Sequence, residues 1–379
     1  MDFAFSSEQE ALRDSVAGML SDAYPDTEVR RAVTAEEPGF QEQTWQRLAS
    51  MGVLGLPFAE ADGGMGAGPI EVGVVAEQIG RMLAPEPFVE SVVLAGSLVA
   101  QTGSDAQRAD MLGRLSDGQI VMAAALYEPG GRWDLDAHEV TATATESGWA
   151  LSGVKEPVLG GSRADVLVVS ARLPDGGTGL FSVDAGAEGL SRSGYTTHDG
   201  GRAAHVSFAS TPAAPLTDAI DRRHEIEQAI AHAQIAYCHE AIGAMDTALS
   251  STSEYLTTRK QFGVTLNSFQ SLTFRAADMF VSLELAKSAV LWASMVADAG
   301  GDVVTAARRA KLQTSRASRH IGQEAIQLHG GIGMTAEYSV GHYANRLTAI
   351  DHILGDGDEQ LAHLASGVGA YDVLDPIEA

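Results

Sequence analysis

The chain has 379 residues, of which 45% are hydrophobic and 20% charged, a globular balance that excludes a disordered or fibrous polypeptide. With 50 acidic against 25 basic residues the formal net charge is -25, and no long basic run offsets it, which argues against nucleic acid or an anionic membrane as partner. Cys238 is the only cysteine, so an internal disulfide framework and a multi-cysteine metal site are ruled out; a reducing compartment, the cytoplasm, is expected. The first residues (MDFAFSSEQE) lack a basic-then-apolar leader, and no run of 18 apolar residues occurs.

In chain order, Ser6 to about Ser116 carries Ala, Leu and Val three and four apart, with breaks at Pro25, Pro38, Pro57 and the Gly63 to Gly68 cluster. This predicts a helical domain over residues 1–118. Ser7 with Glu10, or Ser6 with Gln9, has capping-box spacing at the first helix. Between about Ile120 and Pro215 the period falls to two. A hairpin is predicted from Val140 to Thr145, through a turn at Ser147-Gly148, to Trp149–Leu151. Further strands are predicted at Val166–Ser170, Leu180–Val183 and His205–Phe208. They are not interleaved with helices, so a central β domain over residues 119–216 is expected rather than a parallel βαβ sheet. Long apolar stripes then return: Ile226 to Ala248, Leu272 to Ala286, Val303 to Leu328 and Tyr338 to Leu354. They predict a four-helix bundle over residues 217–379.

Several motifs fail on context. Gly331-Ile-Gly333-Met-Thr-Ala336 fits the dinucleotide fingerprint, but a helical pattern precedes it where a strand is required. Gly160-Gly-Ser162-Arg-Ala164 is nearly a hydrolase elbow, but no helix pattern follows it. The eleven histidines are scattered, with no paired face or carboxylate cluster at ligand spacing, so no metal site is expected. Two segments remain: Thr258-Arg259-Lys260-Gln261-Phe262-Gly263 with Phe269-Gln270, and Gln327-Leu-His329-Gly330-Gly331-Ile-Gly333. A guanidinium and bare glycine backbone suit an anionic, planar ligand. Taken singly, the same residues also read as a helix corner and a C-cap.

In this order and spacing the two segments resemble the acyl-CoA dehydrogenase family, which pairs R-K-Q-F-G with a later Q-x-H-G-G-x-G. Trp45 to Gly66 is similar to the family's first-domain segment, and Gly153-Val-Lys155 with Ala164-Asp165 to its β domain. The resemblance implies a mainly α fold: a helical N-domain, a barrel-like β domain and a C-terminal four-helix bundle. It also implies FAD between two subunits, an acyl-CoA substrate and electron-transfer flavoprotein as acceptor. By resemblance Arg259, Phe262, Gln270, Gln327, Gly330 and Gly331 contact the adenine and diphosphate half of a flavin bound mainly by a neighbouring subunit.

The departures from the family pattern form a set. The catalytic glutamate of the family's Tyr-Glu-Gly-Thr falls on Asp356 within Gly355-Asp356-Gly357-Asp358, and Asp358 replaces a threonine that would face phosphate. The alternative base position, an acid followed by Arg early in the first bundle helix, holds Ala233-Gln234. Tyr127-Glu128-Pro129 replaces Thr-Glu-Pro, and Pro157-Val158-Leu159 replaces an aromatic-Ile-Thr wall. Together they imply the base-lacking partner of a heteromeric α2β2 enzyme, such as those acting on steroid side-chain CoA thioesters. The alternatives are a self-sufficient homotetramer with Asp356 as base, and a scaffold that has lost flavin.

Overall fold

The computed structural model describes residues 5–146 and 148–370. Helices α1 (Ser7–Ala23), α2 (Thr27–Ala35), α3 (Glu42–Ser50) and α4 (Pro69–Met82) lead into a π-helical stretch, Phe88–Gly96, then α5 (Ser97–Thr102) and α6 (Asp105–Ser116). The N-terminal capping box is Ser6 with Gln9: Ser6 Oγ accepts from the Gln9 N–H at 3.2 Å, and Gln9 Oε1 from the Ser6 N–H at 2.9 Å. That reciprocal pair fixes the register the sequence left open. Ser104 and Gln107 repeat the device at α6.

Seven strands follow: β1 (Met122–Ala125), β2 (Thr141–Thr145), β3 (Gly148–Leu159), β4 (Val166–Arg172), β5 (Thr178–Asp184), β6 (Leu190–Thr196) and β7 (Arg202–Pro215). The pairings β4–β2, β2–β3, β3–β7, β7–β5 and β5–β4 close a ring, with β1 added beside β4 and β6 beside β7. Inward positions Leu151, Val158, Leu167, Val169, Phe181 and Val206 are fully buried inside it. The expected β2–β3 hairpin forms, although Ser147 lies outside the described residues. Strands β1 and β6 are additional to the sequence reading. β1 is a short alanine run and β6 is mostly polar and exposed, so neither carries an alternating apolar signal.

The C-terminal helices are α7 (Arg223–Thr258), α8 (Gln270–Asp298), α9 (Val303–His329), α10 (Ser339–His352) and α11 (Gly357–Gly367). α4 crosses α7 at backbone contact. A Cβ at Gly80 would lie 1.9 Å from the Glu240 carbonyl oxygen, and one at Gly243 would lie 2.0 Å from that of Glu77. Only glycine permits this approach, which seats the N-domain on the bundle. α8 has two apolar faces. Met279, Leu283, Ala286 and Val290 are buried, whereas Phe274, Phe280, Val281 and Leu285 are each more than half exposed. The sequence marked only the first face.

Candidate functional site

Six residues singled out in the sequence meet on one surface. α7 and α9 end side by side because the rings of Tyr255 and His329 stack with centroids 4.5 Å apart. Past α7, Lys260–Gln261 pairs with Val264–Thr265 in a small hairpin turning at Phe262 and Gly263, whose φ values are 53° and 83°. Left-handed backbone at both turn positions suits the twist of a two-residue hairpin. The turn leaves Phe262 93% exposed, edge-on to Phe269. α9 ends at Gly330, with φ 66° and ψ -142°, a conformation that favours glycine. The glycine C-cap expected from sequence is therefore present.

Arg259, Gln270, Gln327, Gly330 and Gly331 are all exposed. Among the described residues no intrachain partner engages the side chains of Arg259, Gln270 or Gln327, and a Cβ at Gly330 or Gly331 would meet nothing within 4 Å. An unpaired guanidinium, two free amides and bare backbone are hydrogen-bond donors of the kind that can meet an anion, and they open outward from this chain.

Asp356 has a different setting. It is the N-cap of α11, its Oδ1 accepting from the Glu359 N–H at 2.9 Å. Its loop is held from three sides. Gln234 Nε2 donates to the Leu354 carbonyl at 2.7 Å, the fully buried Lys311 donates to the Ile350 carbonyl, and Asp351 Oδ1 accepts from the Gly357 N–H at 3.3 Å. Gln234, which stands where the Arg after the alternative base would be, is thus a buried strut of the Asp356 loop, and Ala233 holds the base position itself. Asp358 is exposed in the first turn of α11.

Between barrel and bundle lies a cavity of about 440 Å³, walled by Leu126, Tyr127, Pro157 and Leu159 on one side and by Arg346, Ile353 and Leu354 on the other. Its two carboxylates are both engaged. Asp199 pairs with Arg346 at 2.7 Å, and Glu90 accepts from the Tyr237 hydroxyl at 2.8 Å. Burial pushes the Glu90 carboxyl above its usual range, with Arg346 opposing. Arg346 also holds Glu240 at 2.6 Å, and its guanidinium stays charged because these partners outweigh its desolvation. Asp356 does not line this cavity. Asp199 is thus neutralised by Arg346, and Glu90 is hydrogen-bonded through one oxygen.

The loop carrying Tyr127 is anchored by Lys155 and Glu128. Lys155 Nζ is buried and donates to the Leu126 carbonyl at 2.9 Å, Ser170 Oγ at 3.0 Å and Glu128 at 3.1 Å. Burial pulls Lys155 down to about 8 despite Glu128. Glu128 also accepts from the N–H groups of His138, Glu139 and Val140. Burial opposes its ionisation, but these donors and Lys155 hold its carboxyl below the usual range.

Sequence reasoning missed Arg346, Asp199, Glu240 and Glu90. The available signal was Glu240, a carboxylate inside the Ala-rich stretch of α7, where a charge is tolerated only when paired. Its partner Arg346 comes from α10, and the second carboxylate on Arg346, Asp199, from a β-domain loop, both far away in sequence.

Comparisons with known proteins agree with this geometry. Residues 6–119 match the model of the acyl-CoA dehydrogenase N-terminal domain, and residues 224–369 that of the C-terminal domain. The short-chain specific acyl-CoA dehydrogenase of Clostridium acetobutylicum is 26% identical over 90% of this chain and 92% of its own length. A variant of the steroid ACAD Tcur3481–Tcur3483 is 31% identical, covers 96% of this chain and 98% of that one, and has a TM-score of 0.87. The ChsE4–ChsE5 complex of Mycobacterium tuberculosis, 24% identical over 98% of this chain and 100% of that one, shares the fold at a TM-score of 0.90. With both terminal domains matched, a closed barrel between them and the paired α7 and α9 turns in place, the chain belongs to the acyl-CoA dehydrogenase family.

Proposed function

We propose that this chain is the partner subunit of a heteromeric, FAD-dependent acyl-CoA dehydrogenase. It completes the flavin site of a homologous chain that brings the base, and the assembly acts on an acyl-CoA thioester of the steroid side-chain class. The observation that carries the reading is the division of the molecule. The Arg259 and Gly330 turns are free and face outward, while Asp356 is committed to a helix cap.

The outward donor set fits the diphosphate of FAD. Bound there, FAD would supply the acceptor for the hydride that leaves the β carbon of the thioester. Arg259 supplies a charge-assisted contact to phosphate, Gln270 and Gln327 supply amide donors, and the glycines let backbone N–H groups approach. Phe262 and the exposed face of α8, which begins at Gln270, offer apolar surface to the homologous chain. Proton abstraction falls to the other subunit's carboxylate in this reading, since Asp199 is paired with Arg346, Glu90 is held by Tyr237, and Asp356 caps α11 outside the cavity wall. Electron-transfer flavoprotein is the expected acceptor of the assembled enzyme.

The test is the flavin count per chain after purification alone and after co-expression with a homologous subunit. Little or no FAD alone and stoichiometric FAD in the complex is the expected result. A stoichiometric flavin spectrum from the homogeneous lone chain overturns the reading and promotes a homotetramer.

A further inference from the structure

The N-domain and the bundle line a second cavity, of about 370 Å³, that shares no lining residue with the one between barrel and bundle. Pro57, Phe58, Val72, Val93, Ile235 and Ala236 supply its apolar wall, from the loop ahead of α4, α4 itself, the π-helical stretch and α7. Backbone contacts hold that wall in place. The Gly66 N–H donates to the Phe58 carbonyl at 2.7 Å, and the Ala67 N–H to the Leu56 carbonyl at 2.8 Å. The Phe58 ring rests on Gly96, where a Cβ would lie 2.5 Å from its Cζ. A preformed, mostly apolar cavity of this size suits a small molecule.

Four polar side chains complete the lining: Ser97 and Gln101, one turn apart on α5, His232 on α7, and Asp298 at the end of α8. Among the described residues none of the four has a hydrogen-bond or ion-pair partner, and packing seals off neither Ser97 Oγ nor the His232 ring nitrogens. Burial lowers the proton affinity of His232, so its imidazole is neutral and offers one donor and one acceptor, the pairing a hydroxyl group matches. No lysine or arginine is among the described residues lining the cavity, so a carboxylate head finds no counter-ion there and meets the like charge of Asp298. An ammonium head reaches only that exposed carboxylate, which gives little against the cost of its own desolvation.

We infer that this cavity is a binding site for a neutral aliphatic alcohol of medium chain length, its chain against Phe58, Val93 and Ile235 and its hydroxyl at His232. The π-helical stretch stands between the two cavities, Val93 lining this one and Glu90 and Leu94 the other, so an occupant packs against the back of a wall of the barrel–bundle cavity. The site includes none of the Arg259 and Gly330 surface and does not depend on the partner-subunit reading.

The experiment titrates the full lone chain with 1-hexanol, 1-heptanol and 1-octanol in a calorimeter, with octanoate and octylammonium as charged counterparts. Saturable one-to-one binding of 1-octanol is expected, with affinity rising about fourfold for each added methylene. Weaker binding is expected for both charged compounds. His232→Leu, which keeps the apolar wall and removes the hydrogen-bonding ring, should weaken 1-octanol binding about threefold to tenfold. Ala100→Phe fills the cavity from its partly buried wall and should abolish binding. No saturable binding to the wild type, or a flat chain-length series, overturns the site. Octanoate or octylammonium binding as tightly as 1-octanol overturns the neutral assignment, and an unchanged affinity in His232→Leu overturns the placement of the hydroxyl. An unchanged affinity in Ala100→Phe puts the alcohol elsewhere and overturns the proposal. If Ala100→Phe does not fold, Gln101→Phe at the exposed rim serves, with the same two outcomes.

Discussion

His329 packs against Tyr255 with ring centroids 4.5 Å apart, Tyr338 closes the cluster at 5.0 Å from His329 and 6.4 Å from Tyr255, and this aromatic cluster aligns the ends of α7 and α9. Its Nδ1 is 2.8 Å from the Ala325 carbonyl, which fixes the ring on its own helix. Residues far apart in sequence thereby share one surface. That surface supports the proposed function, and its consequences differ for stability and for flavin.

Arg259→Ala should leave the stability of the lone chain within about 0.5 kcal/mol of wild type, because the side chain is exposed and unpaired. In the co-expressed complex it should weaken FAD retention by about 1.5–3 kcal/mol, the range for a charge-assisted contact to phosphate. Unfolding curves check the first part and FAD dissociation rates the second.

Asp356 is tested by two substitutions that separate capping from chemistry. Asp356→Asn keeps an N-cap acceptor and should change stability little, whereas Asp356→Ala should cost about 1 kcal/mol. Neither should alter enoyl-CoA formation by the complex at saturating substrate. A fall of roughly 100-fold in Asp356→Asn would identify the aspartate as the base.

Glu86 gives a pH-dependent stability effect. Burial is the largest influence on it and raises its carboxyl from 4.5 to about 7, against the Tyr24 hydrogen bond. Between those values the native state holds a proton that the unfolded chain has released, so stability falls as pH rises through the window and the cost is complete above pH 7. Glu86→Gln should stabilise by about 1–3 kcal/mol at pH 8 and by little at pH 4. His239, lowered by burial from 6.5 to about 4, acts in the opposite sense, losing stability as pH falls, and cancels when variant and wild type are compared. Denaturant titrations at the two pH values measure the difference.

Lys155→Met should destabilise the chain by roughly 3–5 kcal/mol, because Glu128 is left buried without its cation. The N–H donors of residues 138–140 favour the lower end of that range. Chemical denaturation reports the loss.

On α8, Phe280→Glu combined with Leu285→Glu should leave the fold intact, since each side chain is 56% exposed. Association with the homologous chain should be lost, since burying the introduced carboxylates unpaired is costly. Sedimentation of the co-expressed pair distinguishes the outcomes.

Periodicity and end signals in the sequence were sufficient for the helical N-domain, the β middle and the bundle, because helix and strand patterns depend on near neighbours. Ser6 with Gln9, Gly330 as a C-cap and the acidic start of α11 at Asp356 are all local hydrogen-bond arrangements, legible from residues three or four apart. The two free turns were legible as motifs, but their meeting was not, because a stack between Tyr255 and His329 leaves no periodic trace. Tertiary structure alone decided the rest. It made Gln234 a strut, matched Arg346 with Asp199 and Glu240, and left Arg30 buried with no partner among the described residues. A charged side chain reads as solvated until the fold supplies both its burial and its counter-ion, and those come from segments that only packing brings together.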